Sequence, residues 1–253
     1  MNTTNEKILS KVPELTLIFW VTKILATTLG ETAGDALSMS MNLGYLISTI
    51  IFGIIFLVAV LAQMKAKQFH PYLYWATIVA TTTVGTTLAD FATRSLGIGY
   101  TGGSALLFAL LLGSLAVWYK AMGSVAIASI NTPKAEIFYW VTIMFSQTLG
   151  TALGDWTADT AGLGYLGAAL IFGGLLTAIV LTYYFTSVTR TALFWSAFIL
   201  TRPLGAVVGD FLDKPIAKGG LDLSRFSASA ALLFVIIGCI LFFPQRAAKI
   251  SSH

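Results

Sequence analysis

Four aspartates carry the chemistry that this sequence offers. Asp35, Asp90, Asp155 and Asp210 each follow a glycine by five residues (Gly30, Gly85, Gly150, Gly205) and a tryptophan by fifteen (Trp20, Trp75, Trp140, Trp195). Four and eight residues before each aspartate stand Glu31 and Thr27, Thr86 and Thr82, Thr151 and Gln147, and Ala206 and Arg202. Spacing i, i+4, i+8 puts each triplet on one slowly rotating helix face. Carboxylates are hard oxygen ligands for cations and exchange protons, while threonine and glutamine add neutral oxygens. The pattern suits binding of a cation or proton at Glu31, Asp35, Asp90, Asp155 and Asp210, supported by Arg202, Thr27, Thr82, Thr86, Gln147 and Thr151. Catalysis is not expected. Cys239 is the single cysteine, His70 and His253 are the only histidines, and no nucleophile–base pair or cofactor motif is present. Neither a thiolate metal site nor His-ligated zinc has its ingredients, and no cofactor is expected.

The elements that must position these groups follow from composition. Of 253 residues, 57% are hydrophobic and only 10% charged, whereas a soluble domain carries about 25% charged residues. That excludes an ordinary soluble protein and a disordered chain. The net charge of +4 does not argue for nucleic acid, because the basic residues lie in gaps between apolar runs. A helix needs about 20 apolar residues to cross a bilayer. Eight runs qualify: about residues 14–37, 43–63, 71–92, 100–119, 136–157, 163–185, 191–212 and 226–244. They are continuous rather than alternating, so helices are expected and strands are not. The first run holds Lys23 and Glu31 and lacks a small-x-small cleavage site, unlike a signal peptide. The chain therefore reads as an all-α polytopic membrane protein, a single membrane domain over residues 1–253, with the lipid bilayer as its partner.

The register of Trp, Gly and Asp defines four copies of a two-span unit, about residues 14–63, 71–119, 136–185 and 191–244. A Gly-Tyr pair opens the second span of three copies (Gly44-Tyr45, Gly99-Tyr100, Gly164-Tyr165), where the fourth has Gly219-Gly220. Units with an even number of spans repeat in the same orientation, so the repeats are parallel, with pseudo-four-fold or doubled two-fold symmetry. Odd helices are expected at the centre and even helices outside. Gly30/Gly34, Gly150/Gly154 and Gly205/Gly209, with Gly85 beside Ala89, form small-xxx-small steps that let backbones approach closely. The four tryptophans read as interfacial anchors. Gly97, Gly99 and Gly102 satisfy G-x-G-x-x-G, but with no strand before them they read as a hairpin, not a nucleotide site.

Four tandem two-span units, each with its tryptophan, resemble a group of bacterial inner-membrane proteins defined by a repeat of unknown function. The resemblance spans residues 14 to about 244. It implies the eight-span architecture and a bacterial inner-membrane location, and it brings no chemistry with it. The run Glu31-Thr32-Ala33-Gly34-Asp35 is also similar to the acidic motif of some calcium- or manganese-proton antiporters, with one residue too many.

Charge and depth complete the expectations. Lys7, Lys11, Lys65, Lys67, Lys120, Lys134, Arg190, Arg246 and Lys249 fall on the side of the termini, against Arg94, Lys214, Lys218 and Arg225 on the other. The positive-inside rule then puts both termini in the cytoplasm. With 1.5 Å of rise per residue, Glu31 lies about 16 Å beyond Trp20, near mid-membrane, and Asp35 about 22 Å. Lys23, about 4 Å in, is expected to snorkel to the interface. Arg202 is expected to pair with Glu31. About three carboxylates would then lack a fixed countercharge. Asp159, Asp213 and Asp222 are expected as solvated loop charges. Two accounts of the aspartates stand side by side: a cation or proton ring, or caps for backbone amides after each span. The first implies a transporter or channel for a cation, with a divalent metal ion exchanged for protons and Glu31 as the proton-coupling group. The alternatives are a small organic cation exporter with Tyr45, Tyr100 and Tyr165 lining its vestibule, or a non-transport scaffold or sensor subunit. An oligomer is compatible with any of them.

Overall fold

The computed structural model describes residues 10–248, so Lys7, Lys249 and His253 lie outside the described residues. Eight long helices form: α1 (Leu17–Asp35), α2 (Gly44–Lys65), α3 (Pro71–Asp90), α4 (Gly99–Met122), α5 (Pro133–Asp155), α6 (Gly164–Phe185), α7 (Arg190–Asp213) and α8 (Arg225–Phe242). Their starts are written locally. Thr16, Thr132 and Thr189 accept hydrogen bonds from the amides of Phe19, Ala135 and Ala192, and Pro71 and Pro133 occupy first turns where no amide is needed. No strand occurs among the described residues, beyond one isolated bridge between Pro13 and Ala247.

α1, α3, α5 and α7 form a closed ring in that order, each touching the next and α7 touching α1. The even helices clothe it, with a twist that the hairpin pattern did not foretell. Each packs on the odd helix of the following repeat rather than on its own partner: α2 on α3, α4 on α5, α6 on α7 and α8 on α1. The division of labour explains an asymmetry of composition. α2, α4, α6, α7 and α8 are long and apolar enough to cross a membrane, while α1, α3 and α5 fall short. α3 alone carries Thr77, Thr81, Thr82, Thr83, Thr86 and Thr87, all buried. Polar side chains are tolerated there because protein, not lipid, surrounds them.

The ring closes on glycine. A Cβ at Gly30 would overlap Thr82, at Gly150 Arg202 and at Gly205 Thr27, while at Gly85 it would lie 2.9 Å from Gln147 Cβ. One turn on, Gly34 meets Thr86, Gly154 meets Ala206 and Gly209 meets Glu31. Each polar stripe thus seats against the glycines of the neighbouring repeat. There the threonine hydroxyls reach the neighbour's backbone: Thr82 to Ala26 O (3.2 Å), Thr86 to Gly30 O (3.1 Å) and Thr27 to Thr201 O (3.1 Å).

The tryptophans close a second ring. Trp75, Trp140 and Trp195 are buried and Trp20 half-buried, so they do not stand as free anchors among headgroups. Each packs on the aromatic of the preceding repeat: Trp75 on Phe19 (5.5 Å between centroids), Trp140 on Tyr74 (6.1 Å), Trp195 on Tyr139 (6.3 Å) and Trp20 on Phe194 (6.0 Å). Such pairs contribute about 0.5–1.5 kcal/mol each beyond the area they bury. The segments around residues 12–14 and 246–248 meet under this layer, where Glu14 N donates to Arg246 O and Ala248 N to Val12 O. Lys11 fastens the strap to Glu136 at 2.7 Å.

Candidate cation site

Down the centre of the ring run five layers, each with one residue per repeat. From the strapped end they are Phe19, Tyr74, Tyr139, Phe194; Lys23, Ile78, Ile143, Phe198; Thr27, Thr82, Gln147, Arg202; Glu31, Thr86, Thr151, Ala206; and Asp35, Asp90, Asp155, Asp210. None of the twenty is more than 3% exposed. The i, i+4 stripe therefore continues one turn further than Thr27, to Lys23. That lysine does not snorkel. It is wholly buried, its Nζ 4.1 Å from the centre of the Phe198 ring and 3.5 Å from Thr201 Oγ1.

Arg202 fills the middle of the axis. Its Nη2 lies within hydrogen-bond reach of Glu31 Oε2 (3.0 Å), Thr86 Oγ1 (2.6 Å) and Thr151 Oγ1, three acceptors around two hydrogens. One guanidinium from the fourth repeat thus binds the equivalent residue of the other three. In its own repeat that residue is Ala206, whose methyl group offers no acceptor. The Gln147 amide is buried beside it with no hydrogen-bond partner on either atom.

At the far end the aspartates meet cations that the sequence placed in outer loops. Arg94 joins Asp90 (Nε–Oδ1 2.7 Å) to Asp155 (Nη2–Oδ2 3.1 Å). Lys214 joins Asp210 (2.9 Å) to Asp35. Each cation stands four residues after the aspartate of its own repeat and reaches that of the next, so the ring carries two-fold symmetry in its charges. Arg225 adds a contact to Asp35 at 3.7 Å and binds Asp213 at 3.0 Å. The expectation that about three carboxylates lack a fixed partner is corrected: all four ring aspartates touch a base. Asp213 is likewise buried and paired, not solvated, whereas Asp159 and Asp222 are exposed as expected. The capping account gains no support, because Asp35, Asp90 and Asp155 accept no capping hydrogen bond from the turns they precede.

Those turns are π-helical in three repeats: Ala36–Ser40, Phe91–Ser95 and Trp156–Thr160. Wide turns of this kind gather at functional positions. Gly97 and Gly99 have φ near +71° and +72°, which explains the G-x-G-x-x-G string as the left-handed hairpin of a repeat.

The balance of charge remains acidic. Glu31, Asp35, Asp90, Asp155, Asp210 and Asp213 share only Arg94, Arg202, Lys214 and Arg225. Glu31, Asp35 and Asp210 offer oxygens within 4.8 Å of one another, the spacing of a metal cage. The Lys214 ammonium already touches two of them. A cavity of about 480 Å³ opens onto this end, with Asp210, Lys214, Arg94 and Tyr165 among its walls. Tyr45 and Tyr100 lie against Arg94, 5.9 and 5.6 Å from its guanidinium carbon. Sequence reasoning missed Arg94, Lys214 and Arg225 as members of the site. The signal was available in the Asp90–Arg94 and Asp210–Lys214 spacing of four.

No curated protein and no solved structure is detectably similar to this chain. Four tandem matches to one family, at residues 18–69, 73–124, 138–189 and 193–246, coincide with the four units that build the ring. The chain belongs to the family described as Repeat of Unknown Function (DUF347).

Proposed function

We propose that this protein is a carrier that moves a cation across the bacterial inner membrane in exchange for protons. All eight helices would span the bilayer, with the termini on the cytoplasmic side. The observation that carries the reading is the buried carboxylate cluster on and around the axis, where Glu31, Asp35, Asp90, Asp155, Asp210 and Asp213 outnumber the bases Lys23, Arg94, Arg202, Lys214 and Arg225. A carboxylate that shares a base is ready to take up a proton or a cation at little electrostatic cost, and release it when the base returns. Ionisable groups gathered inside a membrane bundle are the usual mark of such a pathway.

A carrier suits the geometry better than an open channel. The axis is filled by aromatic side chains at one end and by Arg202 in the middle, and the cavity reaches only the aspartate end. Transport through this state would require the ring helices to rearrange. A divalent metal is a poorer fit than a proton or a monovalent cation, because binding at Glu31, Asp35 and Asp210 must first expel Lys214.

The test is flux in proteoliposomes carrying an internal pH dye, with an imposed cation gradient. Asp90→Asn and Asp155→Asn are expected to abolish cation-driven proton movement in protein that still folds. Unchanged flux with all four ring aspartates neutralised would make the ring structural.

A further inference from the structure

The way the outer helices are shared between repeats leaves a seam. α2 leans on α3 and α4 on α5, so α2 and α5 touch only lightly, and an open groove of about 220 Å³ lies between them. Its wall runs from Phe56 to Met64 on α2 and from Ile137 to Phe145 on α5, and it is wholly apolar. Eight residues of helix rise about 12 Å, close to the depth of one leaflet in a hydrocarbon core of about 30 Å. The volume falls below the about 300–1,000 Å³ of small-molecule sites and suits one narrow chain. Leu57, Ile137 and Val141 are exposed along the groove, and Trp140 forms part of its wall.

The rim at the strapped end is basic. Lys11 Nζ donates to Met64 O at 3.0 Å and pairs with Glu136 Oε1 at 2.7 Å, which draws the end of α2 and the first turn of α5 to one point. Lys65 and Lys67 follow Met64, and Lys134 stands two residues before Glu136. All three are exposed, and none joins an ion pair among the described residues. Glu136 is already matched by Lys11. The chain also holds its own contrast. The shift that carries Trp140 onto Trp20 carries this seam onto α6 and α1, where Phe185, Ser187 and Glu14 take the places of Lys65, Lys67 and Lys134. Arg190, which begins α7, is held by the Tyr183 carbonyl at 2.8 Å and lies over the Tyr183 ring. The three free lysines are therefore a property of one seam and not of the repeat.

We infer that the seam between α2 and α5 binds one anionic phospholipid, with an acyl chain in the groove and the phosphate among Lys65, Lys67 and Lys134. A phosphate diester carries a negative charge and offers acceptor oxygens to ammonium donors. Each lysine at a membrane surface strengthens such attraction about fivefold. The inference goes beyond the transport reading and rests only on the placement of these helices in a bilayer.

The experiment reads Trp140 through lipids brominated in their acyl chains, because bromine quenches an indole only at contact. Full-length protein in detergent is titrated with brominated phosphatidylglycerol or brominated phosphatidylcholine, which share their chains and differ in headgroup charge. Phosphatidylglycerol is expected to quench at least about tenfold more tightly. The quenched component should be absent from Trp140→Phe. Lys65→Gln, Lys67→Gln and Lys134→Gln together are expected to bring the two lipids level without moving Tm. Equal affinity of the wild type for both lipids, no quenching by either, a preference that survives the triple variant, or quenching unchanged in Trp140→Phe would overturn the site. So would a dimer, seen by sedimentation, that covers the seam and admits neither lipid. Proton flux is measured separately, so failure of the transport reading and failure of this site are told apart.

Discussion

Replacing Arg202 with leucine removes the one guanidinium on the axis and leaves Glu31 buried without its base. The two are 3.0 Å apart, with side-chain exposures of 0% and 3%. Breaking a buried ion pair by deleting one partner costs about 3–5 kcal/mol, because the remaining charge has neither water nor a counterion. Removing both charges is far less damaging, since the desolvation they required also disappears. Arg202→Leu is therefore expected to lower stability by about 3–5 kcal/mol, and Arg202→Leu with Glu31→Gln to recover at least half of it. For a chain of this size 1 kcal/mol moves Tm by about 2–4 °C, so the single variant should melt about 6–20 °C below the wild type. Tryptophan fluorescence reports the transition directly, because the aromatic ring at the strapped end is built from Trp75, Trp140 and Trp195. A single variant as stable as the wild type would refute the argument, as would a double variant no better than the single one. Either result would mean that the charges on the axis do not feel each other.

Other perturbations test other parts of the structure. Gly150→Ala places a methyl group against the Arg202 side chain and should prevent folding, whereas Gly113→Ala, with open space around its Cβ position, should stay within about 1 kcal/mol of the wild type in the same melting assay. Lys214→Met should destabilise more than Arg94→Met, because the Lys214 side chain is 9% exposed and the Arg94 side chain 32%. Equal losses would show that burial does not set the strength of these pairs. Glu136→Gln should release the strap, raising amide exchange over residues 10–16 while exchange in α3 and α5 holds.

Much of this arrangement was legible because gene-level repetition writes itself in register. Trp, Gly and Asp at fixed offsets placed the odd helices at the centre and the polar stripe inward. The pairing of Arg202 with Glu31 followed from depth alone. Lys23 was misread because depth was weighed without direction: four residues before Thr27, it sits on the inward stripe and has no route to the interface. Arg94 and Lys214 were assigned to loops by position, yet each lies one helical turn from an aspartate, on the side facing the next repeat. The tryptophans were read against lipid, since sequence gives a residue's height in the membrane but not which neighbour covers it. For the same reason nothing in the pattern told that α2 leans on α3 instead of α1. Hairpin connectivity fixes direction along the normal, and lateral partners depend on how glycine faces and side-chain bulk match across helices.

That lateral offset has a consequence for biogenesis. Because every outer helix braces the odd helix of the next unit, no hairpin is finished by its own residues, and α1 waits for α7 and α8, which leave the ribosome after the other six described helices. Until α7 arrives, the polar stripes of α1, α3 and α5 face a groove that is open on one side. By the same contacts, a chain of only two such units would close the ring only as a head-to-tail homodimer. Severed in the connection between α4 and α5, the two halves should find each other when coexpressed, since each still exposes the surface the other lacks.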